Sequence, residues 1–68
     1  MKGIKKVIEK TGLKYRFVCA SIGVTEATLR NWDIGATIPK FTMIELLADT
    51  LHMSVDDLIV VVRLANET

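Results

Sequence analysis

The two side chains best suited to catalysis or metal binding, a thiol and an imidazole, occur once each, at Cys19 and His52. A single cysteine cannot form an intramolecular disulfide, and one cysteine with one histidine does not supply the ligands of a zinc site. We expect Cys19 to be a small buried apolar residue and His52 to lie on the surface between helices. The sequence therefore predicts a protein that is not an enzyme and that needs no metal or other cofactor.

Charged side chains are distributed unevenly along the chain. Residues 1–40 contain eight lysines and arginines against three acidic residues, whereas residues 41–68 contain one arginine against five acidic residues. The net charge of +1 therefore conceals a balance of +5 in the first part and −4 in the second. A local positive field attracts phosphate groups whatever the total charge. The alternative is that these charges only solvate helix surfaces, as in most small proteins of mixed charge.

A turn between two short amphipathic helices is indicated by the segment LKYRFVCASIGVTEATLRNWD, which begins at Leu13. Gly23 can adopt the positive φ with which many helices end, because it has no Cβ to clash. Thr25 is a preferred N-cap residue for the helix that follows. We therefore predict helices over about 14–21 and 26–34, which together form a helix-turn-helix.

Three further helices are predicted from the spacing of apolar residues and from caps. Apolar residues three and four positions apart give one apolar face to helices over about 3–11 and 41–51. Thr42 and Glu45 have capping-box spacing, which could start the second of these slightly later. Ser54 is a favourable N-cap for a fifth helix. The residues expected to turn inward are Ile4, Val7, Ile8, Val18, Cys19, Ile22, Leu29, Trp32, Phe41, Ile44, Leu47, Ala48, Leu51 and Leu58.

The C-terminal segment is compatible with two structures. The run LIVVVRL, from Leu58 to Leu64, is rich in β-branched residues, which favour a strand. The alternative is a continued helix that packs on a partner. Either structure leaves more apolar surface than one small core is expected to bury, so we expect two copies of the chain to associate.

Length and composition indicate one small domain over residues 1–68, with the helix-turn-helix at about 13–34 and a C-terminal extension at about 59–68. A chain of 68 residues is near the lower limit at which one apolar core can hold a fold. No apolar run approaches the roughly 20 residues that span a bilayer. The N-terminal MKGIKKVIEK lacks the apolar stretch of a signal peptide. We expect a cytoplasmic protein with no membrane-bound part.

A series of residues at characteristic spacing extends over most of the chain, from about residue 4 to residue 59. They are Leu13, Val18, Cys19, Gly23-Val24-Thr25, Leu29, Trp32-Asp33, Gly35, Pro39, Leu47-Ala48, Leu51 and Ser54-Val55-Asp56-Asp57-Leu58. In this joint spacing the sequence resembles the Cro/C1-type helix-turn-helix family, also called the XRE family, of phage and bacterial regulators. The resemblance implies an all-α, compact five-helix lambda-repressor-like DNA-binding domain.

The resemblance also implies that the helix over residues 25–33 lies in the major groove of double-stranded DNA. The base-facing positions of the family correspond to Thr25, Glu26, Ala27, Thr28 and Asn31. The chemistry of these side chains suits that role. An asparagine can pair with adenine, a glutamate can accept a hydrogen bond from cytosine, and alanine or threonine methyl groups can contact thymine.

The phosphate contacts of the family correspond to Tyr15, to the loop after the helix over residues 25–33, and to Lys40. Two basic neighbours of Tyr15 extend this surface near the positive end of a helix dipole. The resulting candidates for phosphate contacts are Lys14, Tyr15, Arg16, Arg30 and Lys40. Such contacts set the register of the protein on DNA and much of its affinity.

Two departures from the family pattern predict weaker DNA binding. Tyr15 stands where the family usually has glutamine, although its hydroxyl can still donate to a phosphate. Ile34 and the segment Ala36-Thr37-Ile38 are apolar where the family is often polar or basic. These residues offer few phosphate donors, and Ile34 and Ile38 could instead cover the core or touch sugars.

Arg30 and Trp32 have alternative roles within the fold. Arg30 could reach a phosphate, or it could pair with Glu26 one turn earlier. A pair between Arg30 and Asp33 would be a surface interaction of little energetic weight. Trp32 shares a helix face with Leu29, so we expect it to anchor the core and not to stack on bases.

Two classes of function follow from these observations. The first is a sequence-specific regulator, a small repressor that binds double-stranded DNA as a homodimer at half-sites roughly 34 Å apart. An antitoxin-like form of this regulator would also bind a toxin through its C-terminal segment. The second class is a protein-interaction module with weak or no DNA binding, which Glu26 and the apolar loop suggest.

Overall fold

In the computed structural model, which describes residues 3–66, the chain forms five α-helices and no strand. The helices are α1 (Ile4–Thr11), α2 (Tyr15–Ile22), α3 (Glu26–Asp33), α4 (Phe41–Thr50) and α5 (Val55–Asn66). This confirms the prediction of an all-α domain with five helices. The limits predicted for the first four helices agree with the structure to within about one residue. The ends of the predicted domain and extension, residues 1, 2, 67 and 68, lie outside the described residues.

One apolar core holds the helices together. Helix α3 packs on α1, α2 and α5, while α4 packs on α2 and α5. Complete burial of one large aliphatic side chain stabilises a fold by about 1.5–3 kcal/mol relative to exposure. The largest fully buried side chains are Ile4, Ile8, Val18, Leu29, Leu47 and Leu58. All of them, and also Trp32 and Cys19, were expected in the core from the sequence.

The prediction that Phe41 lies in the core is wrong, because its side chain is 58% exposed. Phe41 is the first residue of α4 and lies one turn before Ile44, the first buried residue of that helix. Pro39, in the loop before α4, is buried. The apolar spacing therefore identified the correct face of α4 but extended it one turn too far.

The C-terminal segment is a helix, so the strand alternative is wrong, and the packing of this helix on a partner stays a prediction. Ser54 caps α5, since its Oγ accepts a hydrogen bond from the Asp57 N–H at 3.1 Å. Leu58, Val62 and Ala65 are buried at the spacing of one helix face. This contact with the core outweighs the modest strand preference of the β-branched residues. Among residues 3–66 no helix is long and apolar enough to cross a membrane.

Three helices end in the same hydrogen-bonded motif. After α2, Gly23 has φ 75° and the Val24 N–H donates to the Cys19 carbonyl at 3.0 Å. After α3, Gly35 has φ 80° and the Ala36 N–H donates to the Asn31 carbonyl at 2.9 Å. These are Schellman motifs, in which a residue of positive φ reverses the chain and satisfies the last carbonyl groups. Because both turns are short, they fix the directions in which α3 begins and ends.

The third such motif, after α4, contains no glycine. His52 has φ 56°, and the Met53 N–H donates to the Ala48 carbonyl at 3.0 Å. The prediction that His52 is a surface residue between helices is confirmed. Its backbone role was not predicted, because a histidine in the left-handed region is uncommon and has no sequence signature.

Asp33 connects α3 to α1. It is the last residue of α3 and is buried, and its Oδ1 accepts a hydrogen bond from the Lys5 backbone N–H at 2.9 Å. Lys5 lies in the first turn of α1, whose N-cap residue, Gly3, has no side chain to perform this role. A carboxylate at a helix N-terminus satisfies an unpaired amide and interacts favourably with the helix dipole. The prediction of a weak surface pair between Asp33 and Arg30 is therefore wrong.

We predict that Asp33→Ala lowers the free energy of unfolding by about 1–2 kcal/mol, because the Lys5 N–H loses its acceptor. Asp33→Asn is the matched control. Its amide oxygen can still accept the hydrogen bond, so it should cost only the charge–dipole part, about 0.3–1 kcal/mol. Urea unfolding followed by circular dichroism measures both variants. Equal stability of the Ala variant and the wild type would show that this contact does not stabilise α1.

A second prediction compares the two glycines at the ends of α2 and α3. A Cβ at Gly35 would collide with the Ala65 carbonyl group of α5, with 2.9 Å to its carbon atom, whereas a Cβ at Gly23 meets nothing within 4 Å. Gly23→Ala should therefore cost only the backbone strain, about 1 kcal/mol. Gly35→Ala should cost at least about 2 kcal/mol, because strain and collision add. Similar thermal midpoints for the two variants would contradict the close packing of α5 on Gly35.

Candidate nucleic-acid interface

Helix α3 has one buried face and one solvent face. Leu29, Trp32 and Asp33 are buried, which confirms the prediction that Trp32 anchors the core. The candidate base-facing residues lie elsewhere on the helix. Thr25, Glu26, Ala27 and Asn31 are exposed, and Thr28 is half-buried. Four of the five candidates thus lie at the N-cap and first turn of α3, and Asn31 is exposed in the last turn of the same helix.

Thr25 caps α3, as its sequence position suggested. Its Oγ1 accepts a hydrogen bond from the Thr28 N–H at 3.1 Å, and the two threonine hydroxyls lie 2.9 Å apart. Each hydroxyl therefore has the other as a hydrogen-bond partner, whereas the methyl groups take no part in that hydrogen bond. If Thr25 and Thr28 contact bases, we therefore expect their methyl groups to make the contact more than their hydroxyls.

The acidic residue on this surface forms an ion pair that the sequence did not predict. The Arg16 Nε lies 3.7 Å from the Glu26 Oε2, and both side chains are largely exposed. Among residues 3–66, Glu26 forms no ion pair with Arg30, which was the pair considered from helical spacing. The observed pair joins the first turn of α2 to the first turn of α3. Because it is exposed to water, its contribution to stability is small.

A groove of about 460 Å³ lies between α1, α2 and α3. It combines two cations, a phenol hydroxyl and two carboxylates around one apolar residue. Its lining residues are Lys5, Tyr15, Glu26, Arg30, Asp33 and Ile34. Asp33 accepts from the α1 backbone and Glu26 pairs with Arg16, whereas within residues 3–66 the side chains of Lys5, Arg30 and Tyr15 form no ion pair or hydrogen bond. Lys5 was not among the predicted phosphate contacts, because its place beside α3 depends on tertiary packing.

Tyr15 is the half-buried donor of this groove. Burial raises the pKa of its hydroxyl, and the neighbouring Cys19, Asp33 and Glu26 add to that effect, whereas Arg30 opposes it. The phenol therefore stays protonated at neutral pH and remains a hydrogen-bond donor. Burial also raises the pKa of the Cys19 thiol. Cys19 is thus buried and protonated, as expected of a core residue without redox reactivity.

The helices differ in whether a side chain accepts a hydrogen bond from the unpaired backbone amides at the N-terminus. Side chains hydrogen-bond to the first-turn amides of α1, α3 and α5, from Asp33, Thr25 and Ser54 respectively. Neither α2 nor α4 has such a cap, and neither has an acidic residue in its first turn. The residues directly before these two helices are Lys14 and Lys40. Free amides together with lysines make these two helix N-termini favourable for anions.

The alternative of a slightly later start for α4 is wrong, and the start predicted at about residue 41 is confirmed. The helix begins at Phe41 with Lys40 at its N-cap position, and no side chain caps it. The capping-box spacing of Thr42 and Glu45 is therefore not used. Lys40 has the extended backbone of an N-cap residue, with φ −65° and ψ 155°, so Thr42 already lies inside the first turn and cannot act as the N-cap.

An apolar groove of about 490 Å³ lies beside the start of α4. Its lining residues are Val24, Trp32, Thr37, Ile38, Pro39, Lys40, Thr42 and Met43. Ile38 is 60% exposed and Ile34 is 50% exposed, so neither covers the core. The loop after α3 therefore presents apolar side chains near Lys40, as the sequence suggested.

Known proteins provide no further guide to this surface. No protein-family model matches the chain, and no curated protein or solved structure matches it. In the described part of the chain no group of three or more His, Cys, Asp or Glu residues could hold a metal ion. The residues around α3, and the chemistry of their exposed groups, are accordingly the basis for a functional hypothesis.

Proposed function

We propose that the protein is a sequence-specific regulator of the Cro/C1 type that binds double-stranded DNA as a homodimer. In this proposal α3 lies in the major groove and occupies one half-site of a pseudo-palindrome, with the second half-site roughly 34 Å away. Occupation of the site blocks transcription, so the protein is a small repressor and acts in the cytoplasm. The five-helix order and the residues shared with the family support this proposal.

The observation that supports the proposal most strongly is the pair of uncapped helix N-termini on either side of α3 in the sequence. Helices α2 and α4 offer free first-turn amides beside Lys14 and Lys40. A phosphate backbone presents successive anions along both edges of the major groove, and helix N-termini are common contacts for them. The three capped helices lack this property, so the distribution of caps matches the predicted phosphate contacts.

The base contacts follow from the solvent face of α3. Asn31 lies on the exposed side and offers both a donor and an acceptor, which is the pattern that pairs with adenine. Ala27 is exposed and can contact a thymine methyl group. Glu26 can accept from the amino group of cytosine, and its pair with Arg16 keeps its charge partly neutralised near phosphates.

The protein-interaction module remains the competing function. It is favoured by the exposed Ile34 and Ile38 and by the acidic Glu26 on a surface that would meet DNA. The antitoxin-like alternative combines DNA binding with a toxin as partner. A test for DNA binding separates the interaction module from the other two.

The first test is fluorescence anisotropy of labelled random-sequence duplex DNA across a salt series. We expect binding at low salt that weakens steeply as salt rises, because phosphate contacts release counterions. A selection for the preferred duplex would then identify the operator. A folded protein that does not bind duplex DNA at low salt would contradict the proposal and favour the interaction module.

Variants of three contact residues separate phosphate contacts from base contacts. Lys40→Ala should weaken binding to all sequences and reduce the salt slope by about one unit. Tyr15→Phe removes only the hydroxyl donor, so it should also weaken binding to all sequences while leaving the core packing in place. Asn31→Ala should cost about 1–3 kcal/mol at one base pair and relax specificity there.

The matched control for the lysine variant is Lys10→Ala. Lys10 is exposed in the last turn of α1 and is not among the proposed contacts, so its removal should leave the salt slope nearly unchanged. Equal effects of the two lysine variants would show that binding follows total charge. Unchanged specificity of Asn31→Ala on the selected operator would remove Asn31 from the base contacts.

A further inference from the structure

We propose that the groove between α1, α2 and α3 binds a small organic acid. Its carboxylate accepts hydrogen bonds from Lys5, Arg30 and the Tyr15 hydroxyl, and its apolar part lies against Ile34. This binding site does not depend on DNA. Because Tyr15 and Arg30 are also proposed phosphate contacts, the acid would compete with DNA and act as an inducer, and this second part rests on the proposed function.

The groove has the size and the lining of a small-molecule site. Its volume of about 460 Å³ lies within the range of about 300–1,000 Å³ that is usual for ligand pockets. Lys5 in the first turn of α1 and Tyr15 at the start of α2 line it from two helices. The third helix contributes one stripe of residues at a spacing of four and three, which are Glu26, Arg30 and Asp33. Polar groups of three helices therefore converge on one cavity.

The charges in the groove that have no partner are positive. The Glu26 Oε2 lies 3.7 Å from the Arg16 Nε. The Asp33 carboxylate accepts its hydrogen bond from the Lys5 backbone N–H. Within residues 3–66 the ammonium of Lys5 and the guanidinium of Arg30 form no ion pair. The ligand that complements this lining is therefore an anion, and a guanidinium can hold a carboxylate through two parallel hydrogen bonds.

Tyr15 adds an uncharged donor near these charged groups. Burial is the main cause of the raised pKa of its hydroxyl. The charges of Asp33, Arg30 and Glu26 also act on that pKa, which indicates that the hydroxyl lies near all three. The phenol is protonated at neutral pH, so it can donate a hydrogen bond to a carboxylate oxygen.

The apolar part of the ligand is inferred from Ile34. Its side chain is 50% exposed and lines the same groove as the Tyr15 ring. Apolar surface with a few polar groups is the usual lining of a site for an organic molecule. An inorganic anion would leave Ile34 uncovered. The groove beside α4 has Lys40 as its one charged lining residue, so it offers no comparable set of donors.

A bound acid would affect DNA binding through the residues that both ligands use. The Tyr15 hydroxyl has one proton and donates to one acceptor at a time. A carboxylate in the groove therefore competes with a DNA phosphate for this donor. It also adds a negative charge close to the proposed path of the phosphate backbone, which weakens the attraction between protein and DNA.

The first measurement titrates isotope-labelled protein without DNA and follows the backbone amide shifts by nuclear magnetic resonance. The probes are benzoate, its neutral isostere benzamide, the cation benzamidine and inorganic phosphate. We expect benzoate to shift the amides of the groove with a dissociation constant on the order of millimolar, as is usual for so small a ligand. The other three probes should bind at least about fivefold more weakly, because each lacks either the negative charge or the apolar part.

Variants of the lining residues test the donors one at a time. Arg30→Gln and Lys5→Gln should each raise the dissociation constant of benzoate about fivefold, because each removes a charged donor. Tyr15→Phe should raise it about threefold, because one neutral hydrogen bond is lost. The matched control is Lys6→Gln, since Lys6 is exposed on α1 and does not line the groove. Its dissociation constant should stay within about twofold of the wild type, because solvent and salt screen a distant exposed charge. Circular dichroism verifies that each variant is folded.

The second measurement tests competition with DNA. Fluorescence anisotropy at a fixed sodium concentration compares DNA affinity in chloride with DNA affinity in benzoate. At ten times its dissociation constant benzoate should weaken DNA binding about tenfold, by mass action. This ratio cancels any direct effect of a substitution on DNA. It should fall to about threefold for Lys5→Gln, whose site is less occupied, and stay near about tenfold for Lys6→Gln.

Three results would overturn the proposed site. The first is a folded protein whose groove amides do not shift with benzoate up to about 50 mM, well above the expected constant. The others are benzamide or benzamidine binding as tightly as benzoate, and equal effects of Lys5→Gln and Lys6→Gln. DNA binding that benzoate does not weaken would overturn the inducer role.

The two measurements separate the site from the proposed function. Benzoate binding by a protein that does not bind DNA would support the site and contradict the proposed function. DNA binding by a protein that does not bind benzoate would contradict the site alone.

Discussion

The contact between α3 and α1 includes one buried hydrogen bond, from the first turn of α1 to the C-terminal end of α3. The buried Asp33 carboxylate accepts from the Lys5 N–H, and it thereby caps a helix whose own N-cap residue is a glycine. Without this contact α1 would begin with unsatisfied amides against the core, and the inner face of α3 would lose a polar contact beside Leu29 and Trp32. The contacts on the buried side of α3 therefore determine which of its residues face solvent.

Whether a side chain caps a helix N-terminus affects the stability of that helix and also whether the N-terminus can bind an anion. Side chains of the protein hydrogen-bond to first-turn amides of three helices, α1, α3 and α5. The two helices without such caps, α2 and α4, directly follow Lys14 and Lys40. An uncapped first turn that is exposed to solvent lowers stability little, because water accepts hydrogen bonds from its unpaired N–H groups. An anion can replace that water. Our proposal of DNA binding rests on this division, together with the polar face of α3.

Helix α5 contributes to the core on one side and leaves apolar side chains exposed on the other. Its inner side adds Leu58, Val62 and Ala65 to the core of a chain of only 68 residues, and Gly35 allows its C-terminal end to approach the turn after α3 closely. Its outer side retains the apolar surplus that the composition indicated, with acidic and basic residues at opposite ends.

The sequence by itself determined the first four helices, the start of the fifth, nearly all of the core and the solvent face of α3, because periodicity, glycines of positive φ and hydroxyl caps are local signals. Only the tertiary structure decided the contact between Asp33 and α1, the place of Lys5 beside α3 and the pair between Arg16 and Glu26, since these join residues from different helices. The helical state of residues 59–66 also needed tertiary packing, because β-branched side chains fit a helix once one face of it is buried. Local signals specify where helices begin and end, whereas the direction of a side chain toward another helix depends on how the helices pack.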